Sequence, residues 1–174
     1  MSEMTFEAAA QQIGTRLVVR LPQPISDQLP SRSMNMAEGT LNGHAFTLPL
    51  EPDGQGGHWL EVGAELAAAA GVLAGTVCTL ALRPAEQWPE PQMPEDILQG
   101  IGEAGLTDVW DSLTTKARWE WLRWIRSTNS TATREKRILV GVDKLRKGMR
   151  RPCCFNTAGC TVPDVSKSGV LKDS

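Results

Sequence analysis

The 174-residue chain has no run of apolar residues approaching the roughly 20 that a bilayer-spanning helix requires. A transmembrane segment is therefore not expected. The first residues, MSEMTFEAAAQQIGTRL, start acidic and lack the basic stretch and apolar core of a secretory leader. A cytoplasmic location is the expectation, and with it four cysteines held as reduced thiols. Histidine is also scarce. His44 follows a hairpin signal and His58 precedes a strand, with no serine, cysteine or carboxylate at a motif spacing beside either. The glycine-rich DGQGG at 53–57 lacks the lysine of a phosphate-binding loop and the following helix of a dinucleotide site, so it reads as a hairpin loop. The carboxylates of the first half are scattered, and no pair stands out as a general acid and base.

What the chain does have is core material and a lopsided charge. Hydrophobic residues make up 41% and charged residues 22%, which suits a globular protein with a sizeable core. Residues 1–112 hold 4 Lys/Arg against 15 Asp/Glu, a balance of −11; residues 113–174 hold 14 against 5, a balance of +9. Such a split marks either a basic partner-binding part or two halves that attract each other.

The first ~90 residues read as short strands with turn signals, the pattern of a small barrel or sandwich. TFEAAA and TRLVVRL are separated by Gly14, and PQPISDQL suits a short helical turn. Asn42-Gly43 is a hairpin signal, because both residues tolerate positive φ. Ala64 to Ala70 favours helix, Gly71 ends it, and Thr76 to Arg83 reads as a strand that buries Cys78. PAEQWPEPQMP at 84–94 contains four prolines, which deny ladder donors and disfavour helix before them. The stretch marks a boundary. The expected organisation is a small β-barrel domain over 1–88, a helical module over 89–156 and a flexible tail over 157–174, an α+β fold overall.

Past the boundary the period is helical. In KARWEWLRWIRST, at about 100° per residue, Ala117, Trp121, Leu122, Trp124 and Ile125 share one broad face. Trp119 falls on the other side, near Lys116, Glu120, Arg123 and Arg126, where an arginine four residues on could lie across its ring. It either packs against the neighbouring domain or tail, or meets a partner. A second helix begins near Thr131 or Thr133, with Ile138, Val142 and Leu145 as its buried stripe and Gly148 at its end. Arg134 sits at the edge of that stripe and calls for a carboxylate; Glu103, Asp108 and Asp111 are the candidates.

MRRPCCFN at 149–156, followed by Cys160, is the most unusual local string. Arg150 and Arg151 would favour a thiolate nearby, so Cys153, Cys154 and Cys160 are the candidate reactive thiols. Three cysteines without a neighbouring histidine or a CxxC pair fall short of the four ligands of a structural zinc site. No metal or other cofactor is called for, and a packed structural segment is the leading reading.

Several strings, taken together, resemble known families. MPEDIL (93–98), WLRWI (121–125), TREKRI (133–138) and RRPCCFN (150–156) resemble the bacterial YdeI/OmpD-associated family, also described as bacteriocin-protection proteins. EGTLNG (38–43), GGHWLEV (56–62) and AGVLAGTV (70–77) look like the small β-barrel domain of unknown function 1905 often fused ahead of it. The resemblance covers most of the chain and rests on the order and spacing of loose motifs. It implies a barrel followed by a helical module, a link to tolerance of antimicrobial peptides or envelope stress, and no established catalytic residue.

The leading expectation is a non-enzymatic, cytoplasmic binding or stress-tolerance protein with an unidentified protein or small-molecule partner. Its contact surface is expected on the helical hairpin, from Trp119, Arg123, Arg126, Arg134 and Arg137 together with Arg150 and Arg151, since Trp and Arg are typical interface anchors. One alternative is a ligand-binding or enzymatic pocket between the two parts, gathering Trp88, Trp110, Arg134 and a cysteine. The other is nucleic-acid binding through the basic half, which the acidic half and a pI of about 5.7 oppose.

Overall fold

The computed structural model describes residues 2–152, 166–167 and 170–172. The chain divides into two compact units, one reaching to Gln87 and joined by the end of the chain, the other running from Trp88 to Phe155.

The first unit is a closed six-stranded barrel. Its strands are β1 (Met4–Ile13), β2 (Arg16–Arg20), β3 (Asn35–Leu41), β4 (His44–Pro52), β5 (His58–Glu61) and β6 (Val77–Pro84). The order around the barrel is β1-β2-β5-β4-β3-β6, and β1 pairs with β6 to close it. Two short helices, α1 (Gln23–Ser26) and α2 (Ala64–Ala70), lie between strands. Every described pairing of the barrel is antiparallel, and closure gives every strand a partner on both sides. The β3–β4 turn is the one the sequence signals: Leu41 pairs with His44, and Asn42 and Gly43 both take positive φ, 49° and 83°. Gly39 serves closure differently. A Cβ there would lie 1.9 Å from the carbonyl oxygen of Ala81, so only glycine lets β3 lie this close to β6.

Side chains alternate across the barrel wall. Met4, Ala10, Val19, Leu41, Leu50, Leu60, Leu80 and Leu82 point inward and form the core. Each fully buried aliphatic side chain contributes about 1.5–3 kcal/mol of transfer free energy. A second apolar cluster, of Ile13, Val18, Trp59 and Leu171, belongs to the outward register. The tail expected over 157–174 falls largely outside the described residues. Within its described part, β7 (Ser166–Lys167) pairs with β8 (Val170–Leu171), and Leu171 is buried against the barrel.

The second unit is helical, with α3 (Glu95–Glu103), α4 (Thr107–Asp111), α5 (Thr115–Arg126) and α6 (Thr131–Arg146). Side chains cap the N-termini of α5 and α6. Thr114 Oγ1 accepts from the Ala117 N–H at 3.1 Å, and Ser130 Oγ accepts from the Thr133 N–H at 3.2 Å. Gly148, at φ 90°, follows the end of α6 and donates its N–H to the Leu145 carbonyl. The core gathers Ile97, Ile101, Trp110, Ala117, Trp121, Leu122, Ile125, Ile138 and Leu145. Among the described residues no helix is long and apolar enough to cross a membrane.

One expectation needs correction here. Arg134 does find a carboxylate, but none of Glu103, Asp108 or Asp111. Its partner is Asp96 in the first turn of α3. The helix-by-helix pattern ranks nearby carboxylates by sequence; packing of α3 on α6 selects this one.

Candidate interaction surface on the helical unit

The indoles of α5 occupy three different environments. Trp121 is fully buried, and its Nε1–H donates to the Arg150 carbonyl at 3.0 Å. That bond ties the chain after α6 back onto α5. Trp124 is half-buried and meets Trp121 edge to face, with ring centroids 6.0 Å apart and planes at 75°. Its ring also carries two cations. The Arg137 guanidinium carbon lies 5.9 Å from the centroid and the Lys144 ammonium 5.2 Å. Arg137 and Lys144 are seven residues apart, two turns along α6, and so share a face. Both rings lie over Gly141 between them, where an added Cβ would be in ordinary contact at 3.6–3.7 Å. The result is an aromatic plate at the surface framed by positive charge at two points.

Trp119 is half-buried on the far side of α5, and its Nε1–H donates to the Pro89 carbonyl at 2.7 Å. The segment 88–90 lies against the first two turns of the helix. Arg118 pairs with Glu90, which also accepts from Thr115 Oγ1 at 3.1 Å, and Lys116 stands 5.5 Å from the Trp88 ring. The hydrogen bonds from Arg118 hold the Glu90 carboxyl below the usual carboxylate range. Trp119 thus anchors its own chain rather than standing clear beneath an arginine.

The expected arginine surface is redistributed. Arg123 is only 3% exposed, so it is not available as a contact residue. The wheel places it away from Trp121, but at this turn α5 is buried on both sides. Arg126 is half-buried. Arg134 is committed to Asp96. Arg137 donates to the carbonyls of Trp124 and Ser127 at 2.9 and 3.1 Å and to Ser127 Oγ at 3.0 Å. It thereby satisfies carbonyls at the C-terminal end of α5 while lying over the indole. Arg150 and Arg151 are exposed: Arg150 donates to the Ser112 carbonyl, and Arg151 lies 3.7 Å from Glu120. Cys153, Cys154 and Cys160 lie outside the described residues.

The structure adds Trp124 and Lys144 to the surface. The signal was present in the sequence as a cation pair at i and i+7 on one helix, facing an indole pair at i and i+3 on the other. Three further residues that the sequence singles out have partners within the helical unit itself. Trp110 is in the apolar core, Trp88 faces Lys116, and Arg134 holds Asp96.

The barrel offers separate chemistry. His58 is 1% exposed, with Nε2 2.9 Å from the Ser33 carbonyl and 3.2 Å from Asn35 Nδ2. The Asn35 amide nitrogen already faces the carbonyls of Ser31 and Ser33, at 2.8 and 2.9 Å. The consistent tautomer therefore carries its proton on Nε2 and donates it to Ser33. Burial lowers the imidazole pKa. Cys78 is buried and its thiol pKa is raised by burial, which makes it inert. A groove of about 590 Å³ runs between β4 and α2, lined by residues that include His44, Phe46, Leu48, Glu65 and Leu66. Among the described residues no group of three or more His, Cys, Asp or Glu is placed to hold a metal.

Both parts are similar to known families. Residues 6–82 match the family model described as Domain of unknown function (DUF1905). Residues 90–148 match the model described as Bacteriocin-protection, YdeI or OmpD-Associated. No curated protein matches the chain.

Proposed function

We propose that this chain, which joins a DUF1905 domain to a module of the bacteriocin-protection, YdeI or OmpD-associated family, is a non-enzymatic cytoplasmic binding protein that supports tolerance of bacteriocins or related antimicrobial peptides. The contact surface is the α5–α6 face around Trp124, with Lys144 and Arg137 at its margins. The observation that carries this reading is the half-buried Trp124 ring flanked by two cations at 5.9 and 5.2 Å. An indole framed by positive charge suits a partner that offers an apolar group beside a carboxylate. Indoles and guanidinium groups are also the side chains that most often dominate binding energy.

The test is survival of bacteria under bacteriocin challenge with and without the protein. Wild type is expected to raise survival. Trp124→Ala combined with Lys144→Glu is expected to return it to the level of the empty vector while the far-ultraviolet circular dichroism stays native. Protection by the double variant equal to wild type would overturn the surface assignment, and no protection by wild type would overturn the biological role.

A second reading, small-molecule binding, is favoured by the groove between β4 and α2, where an imidazole and a carboxylate, His44 and Glu65, border apolar walls. It moves the ligand site from the junction to the barrel. A metabolite panel that raises the Tm of wild type but not of Glu65→Ala would support it; no shift for wild type would end it.

A further inference from the structure

The barrel closes, but one of its ladders is short. β4 pairs with β3 from His44 to Leu50, yet with β5 only at Glu51–Trp59 and Pro52–His58. The sequence ends that ladder from both sides. Pro49 has no N–H to give to it, and β5 stops at Glu61 before Gly63 leads into α2.

The register fixes which backbone groups are left over. The Asn42 N–H donates to the Thr79 carbonyl and the Met36 carbonyl accepts from the Ala85 N–H. Even-numbered residues of β3 therefore bond to β6 and odd-numbered ones to β4. Matched through the register, His44, Phe46 and Leu48 exchange their bonds with β3. Ala45 and Thr47 direct their N–H and C=O groups the other way, to the side on which Glu51 meets Trp59. Among the described residues neither has a backbone partner there.

α2 lies along this side of β4. It starts after Gly63 and ends at Ala70, whose carbonyl accepts from Asn42 Nδ2 at 3.3 Å beside the β3–β4 turn. A helix closes its backbone bonds on itself and offers none sideways. The space between is the groove of about 590 Å³, bordered by residues 44–48 on one side and by Glu65, Leu66 and Ala69 on the other.

We propose that this groove takes an extended peptide, which adds to the open stretch of β4 as a strand. The proposal rests on the groove reading given above and supplies its ligand class. The donor and acceptor of Ala45 recur on Thr47, about 6.8 Å further along an antiparallel strand. A peptide backbone carries the same repeat and meets both residues. Its side chains that point into the groove meet Leu66 and Ala69, which selects apolar residues at alternate positions, and a lysine or arginine finds the Glu65 carboxylate.

The test uses the full chain. Random heptapeptides displayed on phage are first depleted on Ala69→Trp, whose indole fills the groove, and then panned on wild type. The strongest binder is made with a fluorescein label and titrated while anisotropy is read. Thr47→Pro removes the groove-side N–H and leaves the β3 ladder alone, as Pro49 does two residues on. It is expected to bind at least tenfold more weakly than wild type, whereas Thr47→Ala, which alters only the side chain, binds equally. Should Thr47→Pro fail to fold, the peptide is N-methylated one residue at a time, and methylation is expected to abolish binding at alternate residues only. Amide hydrogen exchange at Ala45 and Thr47 is expected to be faster than at Phe46 and Leu48 in the free chain and to slow when the peptide is added. No binder, or a binder indifferent to Thr47→Pro or to N-methylation, would overturn the strand addition. So would equal losses in Thr47→Ala and Thr47→Pro. Slow exchange at Ala45 and Thr47 in a chain that dimerises without peptide would make a second copy the occupant and overturn the peptide. A metabolite whose Tm shift needs Glu65, found where no peptide binds, would keep the groove as a ligand site and overturn the strand addition alone.

Discussion

Arg134 grips Asp96 through two hydrogen bonds, Nε to Oδ2 at 2.7 Å and Nη2 to Oδ1 at 3.0 Å, and so ties the start of α6 to the first turn of α3. The fork-to-carboxylate geometry is the strong form of an ion pair. Asp96 is also favoured where it stands, because a carboxylate in the first turn meets the positive end of the helix dipole. It accepts from the Ile97 N–H at 2.9 Å as well.

Asp96→Asn is therefore expected to destabilise the helical unit by about 1 kcal/mol, a figure held down by the partial exposure of both partners. The hydrogen bonds from Arg134 hold the Asp96 carboxyl below the usual carboxylate range. A carboxylate depressed in the folded state contributes stability that is present above its unfolded pKa. That contribution is lost as pH falls from the unfolded pKa through the folded pKa. Urea titrations of wild type, Asp96→Asn, Arg134→Ala and the double variant at neutral pH would measure the coupling. A coupling near zero would mean that water replaces the pair without loss.

His58 makes the opposite case inside the barrel. Burial favours its neutral form, against a smaller opposing influence from the Ser33 carbonyl and the Asp53 charge. Its folded pKa lies below the ordinary value of 6.5, so the unfolded chain binds the proton more readily. Stability is expected to fall as pH drops through 6.5 and to level off below the folded pKa. Denaturant midpoints of wild type and His58→Gln across pH 8 to 5 check this. The wild-type midpoint should lose ground relative to the variant toward acid, and parallel profiles would refute the assignment.

Much of the architecture was legible before any coordinates. Asn42-Gly43 marked the hairpin, Gly71 the end of α2, and a 3.6-residue period the switch to helices. What was not legible shares a physical cause. Periodicity tells which face of a strand or helix is apolar, but not what covers the opposite face. Ile13 and Val18 stand in the outward register and read as ordinary strand residues; they are buried in a cluster that includes Leu171, more than 150 positions away. Arg123 sits on the charged side of α5 and is buried all the same. Trp124 reads as core, yet part of it reaches the surface, because α6 crosses with Gly141 and two cations rather than with bulky aliphatic side chains.

Glycine substitutions separate space from propensity. Gly39→Ala would press a methyl group onto the Ala81 backbone, which cannot rotate away, and is expected to cost about 3 kcal/mol or more or to prevent barrel closure. Gly141→Ala meets only ordinary contacts with the rings of Trp121 and Trp124 and gains helix propensity. It is expected to be neutral or to stabilise by up to about 1 kcal/mol. The melting temperature of Gly39→Ala should fall while that of Gly141→Ala holds or rises, and equal losses would mean that the α5–α6 packing is tighter than the distances indicate.

Arg137 and Lys144 flank the same ring but differ in what else they hold, and this decides which one reports on binding. Arg137 donates three hydrogen bonds at the end of α5, so Arg137→Ala unpairs helix-terminal carbonyls and is expected to lose about 1–2 kcal/mol of stability. Lys144 has no such bond among those described and contributes its charge over the indole, worth roughly 0.5–1 kcal/mol at a site open to water. Lys144→Ala should therefore lower the unfolding midpoint by less than Arg137→Ala does. If Trp124 is the contact residue, Lys144→Ala should still weaken partner capture, and Lys144→Arg should restore it. Capture that follows stability instead, lost in Arg137→Ala and intact in Lys144→Ala, would assign the framed indole to folding alone.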